Sequence, residues 1–243
     1  MASFVSTRSV AISLCGALVV HCLLMTACQR EAVVPPEQPD TRIGQTPLMM
    51  AARSSDLSSV RKLLMSGVDV NARDINDSTA LHYAAASCGD VRVVKVLLAS
   101  GADVNARNKK NVTPLLDSIN MACDKTDITL ILIQAGADVN VAESGDGDTA
   151  LWIATTESSS EVVEELLKKG ANPNAQATGV GWIGYTPLHM AALNGLTDRV
   201  QLLLQYGASV NIRNARGQTP LDVANKRSPE TRHLLEEYSH HSN

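Results

Sequence analysis

Aromatic side chains are scarce: Phe, Trp and Tyr make up 3% of the 243 residues, with a single Phe. Sandwich and barrel cores draw on aromatic and β-branched residues. The scarcity of aromatics beside abundant small and branched apolar residues therefore points away from an all-β fold and towards closely packed short helices. Neither sign of charge dominates. A net charge of -4 and a pI near 5.8 remove any general electrostatic reason for the chain to bind nucleic acid or an anionic membrane surface. Cysteine is sparse as well. Cys15, Cys22 and Cys28 fall in the first 28 residues, leaving Cys88 and Cys123 for the remainder, which excludes a disulfide-rich scaffold.

Catalytic signatures are missing too. No Gly-x-Ser-x-Gly elbow, phosphate loop, Cys-x-x-Cys pair or His-Glu-x-x-His helix occurs. Asp146-Gly147-Asp148 lacks the remaining ligands of a calcium loop, and His240-His241 lacks a third placed metal ligand. The sequence predicts no catalytic residue, no metal site and no cofactor, so the chain is read as a binding protein rather than an enzyme.

What is present begins with an address. Arg8 is the sole charge before Arg30, and an apolar run from Val10 to Leu24 leads to Thr26 and Ala27. Positive start, apolar middle and small-residue end are the order of an export signal. A run of about 15 residues is short beside the roughly 20 of a membrane span. Leu24-Met25-Thr26-Ala27-Cys28 resembles the lipobox of bacterial lipoproteins, although Met25 stands where Leu is usual. The resemblance implies a signal peptide over 1–27, lipidation of Cys28 and, with Gln29 next, an outer-membrane destination facing the periplasm. The alternative is an ordinary signal peptide with an incidental cysteine. Residues 28–42 hold three prolines and no apolar period, so they are expected to be a flexible tether.

The rest repeats. Thr46-Pro47-Leu48, Thr79-Ala80-Leu81, Thr113-Pro114-Leu115, Thr149-Ala150-Leu151, Thr186-Pro187-Leu188 and Thr219-Pro220-Leu221 are spaced by 33, 34, 36, 37 and 33 residues. Five of these units also end alike, at Gly67-Val68-Asp69-Val70-Asn71, Gly101-Ala102-Asp103-Val104-Asn105, Gly136-Ala137-Asp138-Val139-Asn140, Gly170-Ala171-Asn172-Pro173-Asn174 and Gly207-Ala208-Ser209-Val210-Asn211. Thr suits an N-cap and Pro the first helical turn. Runs such as Val93-Val94 with Val96-Leu97-Leu98 have helical spacing, and Gly suits the left-handed residue that ends a helix. One helix pair cannot bury its own apolar face, so such units must stack, and a charged last unit (Lys226 to Glu237) suits a cap.

This pattern resembles the ankyrin-repeat family. It implies an all-α solenoid of six stacked helix-turn-helix repeats with hairpin loops over 43–238, starting near 44, 77, 111, 147, 184 and 217, and a disordered tail over 239–243. It also implies that His82 and His189 tie adjacent turns together. Met49, Leu116, Trp152 and Asp222 interrupt that network in the other units.

Individuality lies in the departures. Units two and three carry one and two extra residues near Cys88 and Cys123. Stacked helices sit about 10 Å apart and a disulfide needs Cα atoms within about 7 Å. The insertions offer a way to close that gap, so a Cys88–Cys123 bond and two free thiols are both open. Unit four lengthens its hairpin to include Trp182 and Ile183. The resemblance makes hairpin tips contact points, so this pair is a candidate hot spot, against a reading in which Trp182 folds back over the stack. The other tips supply Arg73, Asp74 and Ile75; Arg107, Lys109 and Lys110; Glu143 and Asp146; and Arg213 with Arg216. Three of the five tips are basic on a chain that is acidic overall, which hints at a partner with an acidic face.

The expected function is a monomeric, periplasm-facing module, held to the membrane by a lipid anchor only, that captures a protein partner and binds no nucleic acid. It resembles ankyrin-repeat immunity proteins that neutralise a toxic effector. The alternatives are an envelope scaffold for a resident enzyme, or a secreted ankyrin effector directed at a host.

Overall fold

A computed structural model of the chain describes residues 44–119, 125–224 and 228–241. The expected signal peptide, tether and Cys28 lie outside them, as does Cys123.

Twelve helices are found among the described residues, in six pairs: α1 (Pro47–Arg53) and α2 (Leu57–Met65), α3 (Ala80–Ala86) and α4 (Val91–Ala99), α5 (Pro114–Ile119) and α6 (Thr126–Gln134), α7 (Ala150–Glu157) and α8 (Ser160–Lys168), α9 (Pro187–Asn194) and α10 (Thr197–Gln205), α11 (Pro220–Val223) and α12 (Pro229–His241). The odd-numbered helices stack on one another as an inner layer and the even-numbered ones as an outer layer. The fold is the expected all-α repeat solenoid. Helix α12 continues through Ser239 and His240 to His241, into the stretch expected to be a disordered tail. Ser239 Oγ donates to the Glu236 carbonyl and Arg232 pairs with Glu236, one turn apart on the helix, which extends it beyond the apolar period.

The repeated letters act as their chemistry requires. Thr46, Thr149, Thr186 and Thr219 each accept from the amide three residues on, satisfying a donor that the first turn leaves open. The five glycines that end the outer helices have φ between 80° and 89°, where a Cβ is disfavoured. Leu81, Leu115, Leu151 and Leu188 of the inner helices meet Val94, Leu97, Leu132 and Leu166 of the outer ones in one continuous buried core.

Between units the polar bonds form ladders. Asn71, Asn105, Asn140 and Asn174 each give Nδ2 to the closing glycine carbonyl of the next unit and accept on Oδ1 from an amide two residues later. Each amide thus joins two repeats with both of its ends. Asn105→Ala is expected to lower stability by about 1 kcal/mol, since the freed groups are exposed and water partly replaces the bonds. Urea melts of the two proteins would show it, and unchanged midpoints would mean that the ladder only aligns the units. His82 and His189 form a second tie. Each accepts the N-cap threonine amide on Nδ1 (3.1 and 3.2 Å) and donates from Nε2 to the carbonyls of Val112 and Gln218 (3.1 and 3.0 Å). Burial lowers both imidazole pKa values, keeping the neutral tautomer that this bonding needs.

Three described inner helices, α3, α7 and the short α11, end without a left-handed residue. Helices α3 and α7 run into extended backbone at Ser87 and Ser158, whereas α9 ends at Gly195 with φ 68°. A cation from a later segment covers their open carbonyls. Lys125 Nζ donates to Ala85 O (3.0 Å), Ala86 O (2.7 Å) and Asp117 O (3.3 Å). Arg199 donates to Thr155 O and Ser158 O.

Candidate partner-binding surface

Five hairpins join the outer helix of one unit to the inner helix of the next. Three are closed alike, by Asp74 N to Ser78 O, Asn108 N to Val112 O and Asn214 N to Gln218 O. In each, the Asp or Asn side chain accepts two further loop amides, an Asx turn that fixes the tip. The equivalent positions in the third and fourth hairpins are Glu143 and Ala177, which cannot close such a turn. These loops are longer, closing from Glu143 N to Asp148 O and from Ala177 N to Tyr185 O.

Neighbouring hairpins are also bonded to each other. Lys109 N donates to Asn76 O, Ser144 N to Lys110 O, Thr178 N and Gly179 N to Asp146 O, and Ala215 N to Ile183 O. The five tips therefore form one continuous edge rather than separate fingers.

The predicted tip residues divide along it. Arg73 donates to the carbonyls of Asp77 and Arg107, Arg107 to Asn111 with an ion pair to Asp138, and Arg213 to Gly217 O. Arg73 thus ties its hairpin to the next, Arg107 reaches the following unit at Asp138, and Arg213 braces its own hairpin. Lys109, Lys110 and Arg216 are exposed, and so is Ile75.

Trp182 does both of the things weighed for it. Its ring meets Tyr185 (centroids 5.2 Å) and Trp152 (6.3 Å) edge-on, yet it stays 39% exposed beside Ile183 at 52% and Val180 at 95%. Trp152 stands at the position held by His82 and His189 in their units. Its Nε1 is buried with no partner among the described residues. Unit four has exchanged a histidine tie for an aromatic stack supplied by its long hairpin, and the stack fixes Trp182 edge-on while leaving part of it in water.

Beside this loop lie Glu143 and Asp146 of the third tip, Asp148 of the incomplete calcium pattern, and Asp117, which no motif marked. Asp148 is half-buried, and burial with the charges of Asp146 and Glu143 raises its pKa to about 6. Asp117, on α5, is raised to about 7, chiefly by desolvation, with Glu143 adding to the rise and Lys125 opposing it. The signal was available. Asp117 is the fifth residue of its unit, counting from Thr113, and the same place in the other five holds Met50, Tyr83, Ile153, Met190 and Val223.

Cys88 is disulfide-bonded and exposed. It borders a cleft of about 530 Å³ with Lys125, Thr126 and Ser159. The Lys125 ammonium at this cleft is consumed by backbone carbonyls. No group of three or more metal-ligating side chains occurs among the described residues, and no described helix is long and apolar enough to cross a membrane.

Stacked helix pairs with a continuous edge of hairpins define a repeat protein that works by binding other proteins. Models of ankyrin repeats match residues 10–108, 81–177 and 184–224, and the chain belongs to the ankyrin-repeat family. It is 32% identical over 187 residues to the mouse B-cell lymphoma 3 protein homolog, covering 75% of this chain and 40% of that protein. It is 31% identical over 186 residues to the putative ankyrin repeat protein YahD of Escherichia coli, covering 74% and 88%. The chain spans less than half the length of the first of these. Among solved structures, the ankyrin domain of Bcl-3 superposes with a TM-score of 0.65 at 33% identity, over 79% of this chain and 82% of that one. An immunity protein from Bdellovibrio bacteriovorus, in complex with a predatory endopeptidase, superposes with a TM-score of 0.67 at 30% identity, over 78% and 96%. These are families of interaction modules, and no enzymatic family is indicated.

Proposed function

We propose that this chain is a lipid-anchored, periplasm-facing immunity protein that neutralises a toxic effector by binding it as a monomer through its hairpin edge and inner-helix face. The observation that carries the reading is the likeness, over nearly all of that partner-bound chain, to a solved immunity protein. A leader ending in Leu24-Met25-Thr26-Ala27-Cys28 supports export and lipidation at Cys28, and a disulfide at Cys88 suits an oxidising compartment. Cys123 is the proposed partner of Cys88: Lys125, two residues beyond it, bonds the carbonyls of Ala85 and Ala86 just before Cys88. The proposed contact residues are Trp182 and Ile183, with Ile75, Lys109, Lys110 and Arg216 exposed along the same edge.

The test is rescue. Cells expressing the product of a neighbouring gene in their periplasm, a lipase or peptidoglycan hydrolase for instance, are expected to survive when this chain is co-expressed, and the two proteins to copurify. Survival should require export, and labelled palmitate incorporation should vanish in Cys28→Ala. Neither rescue nor complex with any neighbouring product would defeat the immunity reading, and wild-type protein free in the medium would defeat the tether.

A further inference from the structure

The third and fourth hairpins differ from the other three in chemistry as well as in length. The third presents Glu143, Asp146 and Asp148, and the fourth presents Val180, Trp182 and Ile183. They are locked together, since Asp146 O accepts both Thr178 N and Gly179 N at 2.8 Å. A Cβ on Gly179 would lie 2.5 Å from Asp146 Oδ1, so the backbone that carries the apolar tip rests directly on a carboxylate. Asp117 stands behind them on α5, within the electrostatic reach of Glu143. Acid field and apolar tip are one surface.

We propose that this surface docks a protein loop presenting a lysine or arginine between apolar side chains. The inference rests on the partner-binding reading above and names the chemistry of the partner. No ion pair among the described residues involves Asp117, Glu143, Asp146 or Asp148; Lys125 acts on Asp117 through space, but its ammonium bonds only backbone carbonyls. Asp148 Oδ1 is buried without a hydrogen-bond partner. They do not converge into a metal site, so the complementary group is a side-chain cation that reaches in from a partner. Beside it Trp182 is already held by Trp152 and Tyr185, and an aromatic anchor fixed before binding loses little freedom on contact. An anionic lipid surface does not suit this edge, because the same carboxylates would face its headgroups. An acidic partner is disfavoured here for the same reason, and of the tip arginines that suggested one, Arg73, Arg107 and Arg213 are engaged by the fold itself.

A phage-displayed library of random disulfide-closed loops, selected on the full chain, tests this. Retained loops are expected to be rich in Lys or Arg flanked by Leu, Ile, Val or aromatic residues, with binding that weakens as salt rises. The combined variant Glu143→Gln, Asp146→Asn, Asp148→Asn and the separate variant Trp182→Ala should each bind such a loop at least about tenfold more weakly. Matching far-UV spectra and melts would show that these proteins remain folded, and the near-isosteric amides keep the charge question open should Trp182→Ala unfold. Lys62→Ala with Lys95→Ala, both exposed on the outer helices α2 and α4, should leave binding unchanged. Acidic or uncharged loops, no retained loop, or equal affinity for the amide variant would overturn the inference. Loops that instead depend on Lys109 and Lys110 would overturn it while leaving the partner-binding reading intact, which stands or falls on rescue.

Discussion

Lys125→Met is expected to lower the stability of the stack by about 3 kcal/mol and to loosen the second unit first. Lys125 is 5% exposed and bonds two carbonyls that α3 leaves open, together with the Asp117 carbonyl on α5. Methionine fills the space but donates nothing. Each buried carbonyl left unpaired costs about 1–3 kcal/mol, against which stands relief from burying an ammonium whose pKa is lowered by that burial. Three bonds outweigh one desolvation, so the sign is destabilising. Arg199→Leu removes the comparable cover from α7, yet Arg199 is only partly buried and water can replace it, so about 1 kcal/mol is expected there. Amide hydrogen exchange near Ala85 and Ala86, with urea melts fitted unit by unit because repeat arrays need not unfold in one step, measures both. Equal small losses in the two variants would mean that the α3 carbonyls are hydrated and that Lys125 is a bystander.

The regular part of this molecule was legible because each letter has one local job. Thr at the cap, Gly at the left-handed end and the paired small residues of the inner helices are decided within a few residues of themselves, and periodicity then gives the stack. The roles of Arg73, Arg107 and Arg213 were not legible. A charge on a loop reads as solvent-facing, and only the folded hairpins and their neighbours show the acceptors waiting for it. Trp152 and Trp182 were each visible as oddities, but their pairing spans 30 residues and depends on the lengthened hairpin folding back. Lys125 stands next to the insertion in unit three, where loss of register hid its link to α3. Asp117 was hidden by a different habit of reading: carboxylates look ordinary in a soluble chain unless the same place is compared across all six units.

That comparison leads to the second large effect. Asp117→Asn is expected to stabilise the stack at pH 8, by roughly 2–3 kcal/mol, and to have almost no effect at pH 4. Burial pushes the carboxyl of Asp117 from the ordinary 3.8 up to about 7, with Lys125 opposing the rise and Glu143 adding to it. Between those values the folded chain retains a proton that the unfolded chain has released. Stability of the wild type therefore falls as pH rises through this window, and the full penalty stands above it. At about 1.36 kcal/mol per pH unit the shift amounts to about 4 kcal/mol, of which the buried amide of Asn gives back a part. Asp148, also raised, contributes the same sign in both proteins, so the difference between wild type and variant isolates Asp117. Equal slopes of stability against pH would show that Asp117 is hydrated and unshifted. A residue that opposes folding in the middle of an otherwise apolar row suits a role realised only in the complex. Its facing charges are Lys125 and Glu143, and a partner cation placed beside it would add a second positive neighbour. Binding by a loop of the proposed chemistry should then tighten from pH 6 to pH 8, and Asp117→Asn should reduce that dependence to the smaller part carried by Asp148 while it improves the free protein.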